Sequence, residues 1–112
     1  MIAQKNRLKK ADFERIFRNG NKFYNQYCNI RYLPNGLGYC RFAIIVSNKI
    51  SKKATERNTI RRRIKAIIVE NLPNFSKDFD IVITVLPALS NLDYPNLKEN
   101  LLNLLKKRQL LV

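Results

Sequence analysis

Histidine is absent from this 112-residue chain, which removes the imidazole general base and the histidine metal ligand from its possible chemistry. Cysteine is scarce. Cys28 and Cys40 form no C-x-x-C pair, so neither a disulfide framework nor a four-ligand zinc site can be assembled from them. Both thiols are expected to be reduced and partly buried. No stretch approaches the apolar length that spans a bilayer, and the opening MIAQKNRLKK lacks the apolar middle of a signal peptide. These absences predict a cytoplasmic chain with no membrane partner. No internal repeat or low-complexity tract occurs.

Acidic residues are also few: 8 Asp and Glu stand against 22 Lys and Arg, a formal charge of +14. Solubility calls for far less. Neutralising a phosphate releases condensed counterions, so such a surface gains most from nucleic acid, with anionic membrane the weaker alternative. The 46% apolar content of 112 residues closes one hydrophobic core, which predicts a single domain over 1–112. Residues 1–22 carry net +5 and residues 41–70 net +7, whereas 71–112 carry only +1. Binding is expected in the first two of these segments.

In ADFERIFRNG, Phe13, Ile16 and Phe17 fall at helical spacing and Gly20 is a natural stop, predicting a short amphipathic helix. Two β-rich runs follow, about Phe23 to Leu33 and Tyr39 to Ser47. The intervening PNGLG predicts a hairpin between them. RFAIIVS is apolar on both alternating faces and is expected inside the sheet. From about Ala54 to Glu70, Ile60, Ile64, Ile67 and Ile68 mark a second helix, ending near NLPN. FDIVITVL reads as a strand closed by Pro87. After a loop around Pro95, leucines 97, 101, 104 and 105 mark a third helix. The order is helix, two or three strands, helix, strand, helix.

At about 100° per residue, Asn58, Arg61, Arg62 and Lys65 share a face of the second helix turned away from the isoleucines. Arg57, nearer the apolar edge, sits in the first turn and can reach outward, and Lys49, Lys52 and Lys53 extend the cationic ridge into the preceding loop. A helix kept basic for solubility would carry glutamate at i−4 to its cations. Only Glu56 and Glu70 occur, at the two ends. The missing counter-charge suggests phosphate, which the planar arginine fork binds in bidentate fashion. By periodicity alone Phe13 and Phe17 are core residues.

VSNKISKKATERNTIRRRIKAI, Val46 to Ile67, resembles the signature of the bacterial ribonuclease P protein family: a strand ending in a Val-Ser/Ala-Lys-Lys run, then an Arg-Asn-Arg-x-Lys-Arg helix. RLKKADFERIFRNG resembles the family's opening and FDIVITVLPA its fourth strand, so the likeness covers nearly the whole chain in order. The resemblance implies an α/β fold, a two-layer αβββαβα sandwich like the ribosomal protein S5 domain 2. It also implies a left-handed βαβ crossover through the basic helix, where pattern alone predicts the common right-handed one. It further implies an accessory subunit with no catalytic or metal-binding residue of its own. A catalytic RNA and its Mg²⁺ would then remove the 5′ leader of precursor tRNA, with the protein a monomer in a one-to-one complex. Lys49, Lys52, Lys53, Arg57, Asn58, Arg61, Arg62 and Lys65 would contact that RNA. Phe13, Phe17, Tyr27, Arg31 and Ser47 would line a cleft for the single-stranded leader, where any base can stack on an aromatic face.

The chain departs from the family pattern at Asn48, Thr59, Val85 and Leu86, where basic residues are usual, and Arg31 stands at a position that is often aromatic. Two rivals stand beside this reading. Another RNA-binding module, such as a ribosomal protein, would share the charge but not the three ordered segments. A protein-only nuclease would need Asp78, Asp80 and Glu56 as Mg²⁺ ligands, although the two aspartates read as turn and strand-beginning residues.

Overall fold

The computed structural model of the chain describes residues 3–76 and 78–112. Its first regular helix, α1, spans Lys10–Asn19. Of its three periodic apolar residues only Ile16 is fully buried; Phe13 is half-buried and Phe17 is 39% exposed. Gly20 ends the helix with an ordinary extended backbone, φ −77°. Glycine is needed there for close approach, since a Cβ would be driven into the Ile16 carbonyl oxygen and lie 3.0 Å from that of Tyr32.

The first β-rich run divides in two. β1 (Asn21–Tyr24) and β2 (Cys28–Pro34) form an antiparallel hairpin. Its turn is held by the Asn25 side-chain oxygen, which accepts from the amides of Tyr27 and Cys28 at 2.8 and 2.9 Å. PNGLG does turn the chain, with Gly36 and Gly38 at φ +67° and +82°, yet it closes no hairpin. The next strand, β3 (Arg41–Ile45), pairs in parallel with β4 (Phe79–Val85), which inserts between β2 and β3 to give the order β1-β2-β4-β3.

β3 therefore lies at an edge of the sheet rather than inside it. The centre goes to β4, in which Asp80, Ile81, Val82 and Ile83 are all buried. β3 can be apolar because its outer edge is covered: Leu8 donates its amide to the Phe42 carbonyl at 2.9 Å, and Asn6 Nδ2 donates to that of Cys40 at 2.7 Å.

Strand alternation gives the sheet two unlike faces. One carries Phe23, Ile30, Phe42, Ile81, Ile83 and Val85 into the main core, against Ile64, Ile67 and Ile68 of α2 (Ala54–Asn71) and the four leucines of α3 (Tyr94–Lys107). This is the two-layer sandwich. α2 makes the crossover between parallel β3 and β4, the connection expected to be left-handed. Pro95 is not in a loop. It occupies the first turn of α3, where no backbone donor is required, behind Asp93, whose carboxylate accepts from the Asn96 amide at 3.0 Å. Cys28 and Cys40 are buried free thiols, and burial pushes Cys28 up to about 12.

The other face carries Asn29, Arg31, Asp80, Val82, Thr84, Arg41 and Ala43, and α1 lies across part of it. The clasp is Asp80, whose side chain is fully buried. Arg15 of α1 donates to it at 2.6 Å, Arg41 of β3 through Nε and Nη2 at 2.8 and 2.7 Å, and Asn35 at 2.8 Å. Burial raises the Asp80 pKa, but the hydrogen bonds from Arg41, Asn35 and Arg15 outweigh it and hold the carboxyl below its usual range. A depressed folded pKa stabilises the protein above the unfolded value of about 3.9, and the contribution disappears as pH falls through the folded value. Asp80→Asn is expected to cost about 3 kcal/mol in urea unfolding at pH 7, since it leaves a buried network unpaired. The gap between variant and parent should narrow as the pH is lowered below about 4. A gap independent of pH would show that the charge of Asp80 contributes nothing.

Candidate nucleic-acid interface

The cations of α2 begin with the loop that precedes it. Ser47, Lys49, Lys52 and Lys53 are exposed. Ser47 Oγ accepts from the Lys49 amide at 3.3 Å, and Ser51 Oγ accepts from that of Lys53 at 3.1 Å, which orders the loop. Lys53 lies 3.9 Å from Glu56. Arg57 is half-buried and donates to the Ser51 carbonyl at 2.9 Å, so it spends one donor fastening the loop to the helix.

Further along, the ridge divides. Arg61 is held by two acceptors, Asn58 Oδ1 at 2.8 Å and the Val46 carbonyl at 3.3 Å, which aim it across the end of β3. With Lys65 it forms one wall of a groove of about 250 Å³, whose other walls are Arg7 and Leu8, Phe13 of α1, and Phe42, Ala43 and Ile44 of β3. Arg62 points to the opposite flank, toward α3, where Thr59, Arg62, Arg63, Ala66 and Tyr94 line a shallow opening. Arg63, which the helical wheel places near the apolar side, is exposed at the rim of a cavity floored by Ile60, Leu89, Leu92 and Leu97. Among the described residues, Lys49, Lys52, Arg57, Arg61, Arg62, Arg63 and Lys65 have no carboxylate within ion-pair distance. The uncompensated charge read from the sequence is uncompensated in space as well.

The aromatic residues sort differently from expectation. Phe13 and Phe17 make an edge-to-face pair with ring centroids 6.0 Å apart. The Arg31 guanidinium lies 4.9 Å from the centroid of Phe17 and donates to its carbonyl at 3.1 Å, so Arg31 joins the two residues as a fixed wall. Tyr27 is not with them: it sits in the β1–β2 turn, half-buried against the main core, while Asn29 and Arg31 carry the polar face of β2. Sequence reasoning missed Arg7, which closes the groove beside Phe13, and the pairing of Arg15 and Arg41 with Asp80. A carboxylate inside the apolar run FDIVITV was the signal for that pairing, because a charge in a buried strand requires partners.

No three carboxylate or thiol groups among the described residues converge as a metal site. Asp80 has its oxygens occupied by arginine and asparagine donors, and Glu56 accepts from Ser51 Oγ at 2.8 Å. This donor set does not fit a bound magnesium ion.

A small α/β protein with an uncompensated basic helix beside a partly open sheet face has the features of the nucleic-acid-binding class. The ribonuclease P family model matches residues 2–109. The ribonuclease P protein component of Thermotoga maritima is 37% identical over 111 residues, 95% of this chain and 94% of its own length. That of Pseudanabaena sp. is 32% identical over 113 residues, 99% of this chain and 97% of its own. The solved RNase P protein from Thermotoga maritima superposes with a TM-score of 0.84 at 37% identity, over 90% of this chain and 96% of that one. The Staphylococcus aureus RNase P protein shares the fold at a TM-score of 0.88 and 24% identity, over 96% of this chain and 98% of its own. The chain belongs to the ribonuclease P protein family.

Replacing Arg61 and Arg62 together by alanine should reduce the slope of log affinity for the catalytic RNA against log salt by about 1.4–1.8, the release expected for two phosphate contacts. Circular dichroism should report an intact fold, since neither residue is in the core. An unchanged slope would mean that both face plain solvent.

Proposed function

We propose that this chain, a single domain over residues 1–112, acts as the accessory protein of a cytoplasmic ribonuclease P. In this role it binds the catalytic RNA as a monomer, one-to-one, and takes hold of the 5′ leader of precursor tRNA. The observation that carries the proposal is the groove in which Arg61 and Lys65 of α2 face Phe13 of α1. It joins a cationic wall suited to phosphate with an aromatic wall suited to unpaired bases. The exposed Lys49, Lys52, Lys53 and Arg62 lie outside this groove, so the structured RNA and the single-stranded leader can be bound side by side.

The division of labour follows from chemistry. With no histidine in the chain and with its buried carboxylate already paired, the general base of the reaction is assigned to the RNA side. Its contribution is electrostatic and positional: the cations screen the repulsion between two phosphate backbones, and the groove fixes the leader relative to them. Any Mg²⁺ the reaction uses would therefore be held mainly by RNA oxygens. No helix among the described residues is long and apolar enough to cross a membrane, in keeping with a partner that is nucleic acid.

Protein alone should cleave nothing. Added to its cognate ribonuclease P RNA at low Mg²⁺ and moderate salt, it should restore cleavage at the mature 5′ end of tRNA, and the gain should shrink as Mg²⁺ rises and takes over the screening. Cleavage by the protein without RNA, or no restoration at low Mg²⁺, would overturn the proposal.

A further inference from the structure

The part of the sheet that α1 leaves uncovered has an order that none of the expected cleft residues reveals. The register places Tyr24 of β1 opposite Asn29 of β2, Asn29 opposite Thr84 of β4, and Thr84 opposite Ile45 of β3. These four residues form a single row perpendicular to the strands, on the face opposite the main core. Three inter-strand spacings of about 4.8 Å make the row roughly 14 Å long. α1 runs alongside it: its first turns reach Arg41 and Asp80, on β3 and β4, while Phe17 meets Arg31 of β2. Phe13 thus stands near the β3 end of the row, Phe17 near β2, and Tyr24 at the β1 end.

Tyr24 is 68% exposed, far more than any other tyrosine or phenylalanine beside this face. Its neighbour Phe23 points the other way, into the core. Lys22, on the same face and opposite Arg31, is exposed and has no carboxylate within ion-pair distance among the described residues. Arg31 itself is committed to Phe17 through its hydrogen bond and its place over the ring. The β1 end of the row therefore offers an unencumbered aromatic face next to a free cation.

We propose that Tyr24 and Lys22 form a stacking subsite for an unpaired nucleotide, the far station of a leader track that starts at Phe13 and crosses the strands along this row. Tyr24 supplies the base platform and Lys22 the phosphate contact, and because any base can stack, the subsite is tolerant of sequence. The inference rests on the leader-binding reading above and adds to it a direction and a length: the subsite is filled only when the leader extends about 14 Å beyond Phe13.

The test uses holoenzyme reconstituted from the full chain and its cognate RNA, with a series of precursor tRNAs whose leaders grow one nucleotide at a time and mature tRNA as the reference. Tyr24→Ala should bind short-leader precursors and mature tRNA like the parent and lose about 5- to 100-fold in affinity once the leader is long enough, with Tyr24→Phe restoring it. Phe13→Ala, measured in parallel, should lose affinity already at shorter leaders. If Phe13→Ala shows its leader-dependent loss while Tyr24→Ala matches the parent at every length, or weakens mature tRNA equally, the Tyr24 subsite is wrong and the leader reading stands. If neither variant responds to leader length, the leader reading itself fails and takes the subsite with it.

Discussion

A full negative charge buried in the central strand of the sheet is the constraint on which the arrangement of this protein depends. Asp80 has no exposed side-chain surface, and a carboxylate so placed is tolerable only if its lone pairs are filled by donors of good geometry. Its donors come from three places in the chain: Arg15 on α1, Arg41 on β3, and Asn35 in the turn before β3. The sheet order and the placing of α1 are satisfied together. β4 must lie beside β3 to meet Arg41, the PNGLG turn must fold against the start of β4 to bring up Asn35, and α1 must cross the polar face to bring up Arg15. An apolar residue at position 80 would pack without dictating any of this. The charge gives direction to contacts that hydrophobic burial alone leaves interchangeable.

Because α1 is fastened at the Asp80 end, it covers the rows of the sheet that hold Asp80 and Val82 and leaves the next row open. Phe13 and Phe17 then form the wall of an open floor instead of the lid of a second core. α2, packed on the opposite face by its isoleucines, projects Arg61 and Lys65 past the β3 edge into the same groove. Elements on opposite faces of one sheet thereby meet at its edge, one contributing aromatic surface and the other charge. In the function proposed above, the role is placement: the reactive groups belong to the RNA, and this edge of the protein would set where phosphates are neutralised and where single-stranded bases lie flat.

Much of this was legible in the sequence. The isoleucine period of α2, the leucine period of α3 and the near absence of glutamate between cations read directly, because helical contacts are local and charge is additive. The likeness of three ordered segments to one family identified the three-strand run that periodicity left as two or three. What alternation could not show was adjacency. β2 and β3 look like a hairpin because a Gly-rich turn joins them, yet β4, more than thirty residues later, makes the better central strand and separates them. The turn capped by Asn25 breaks one apparent strand into two, so Tyr27, expected in the cleft, lies in the turn, and Tyr24 takes a place on the polar face. From sequence Asp80 is only a residue at the beginning of a strand, because its partners Arg41 and Arg15 lie 39 and 65 positions away, a distance no window spans.

The central claim of the proposed function is that the Asp80 clasp positions Phe13 and Phe17 for the leader without taking part in the α2 contacts proposed for the catalytic RNA. It is tested most directly by removing one arm of the clasp. Arg15→Met keeps the aliphatic stem and takes away the fork, while Arg41 and Asn35 still satisfy Asp80, so the sheet should remain folded. Affinities of the reconstituted holoenzyme for precursor and mature tRNA, measured beside the affinity of the variant for the RNA subunit, separate the two functions. The account predicts that discrimination in favour of the precursor falls while binding of the RNA subunit is unchanged. Equal losses in both, or full discrimination without Arg15, would contradict it.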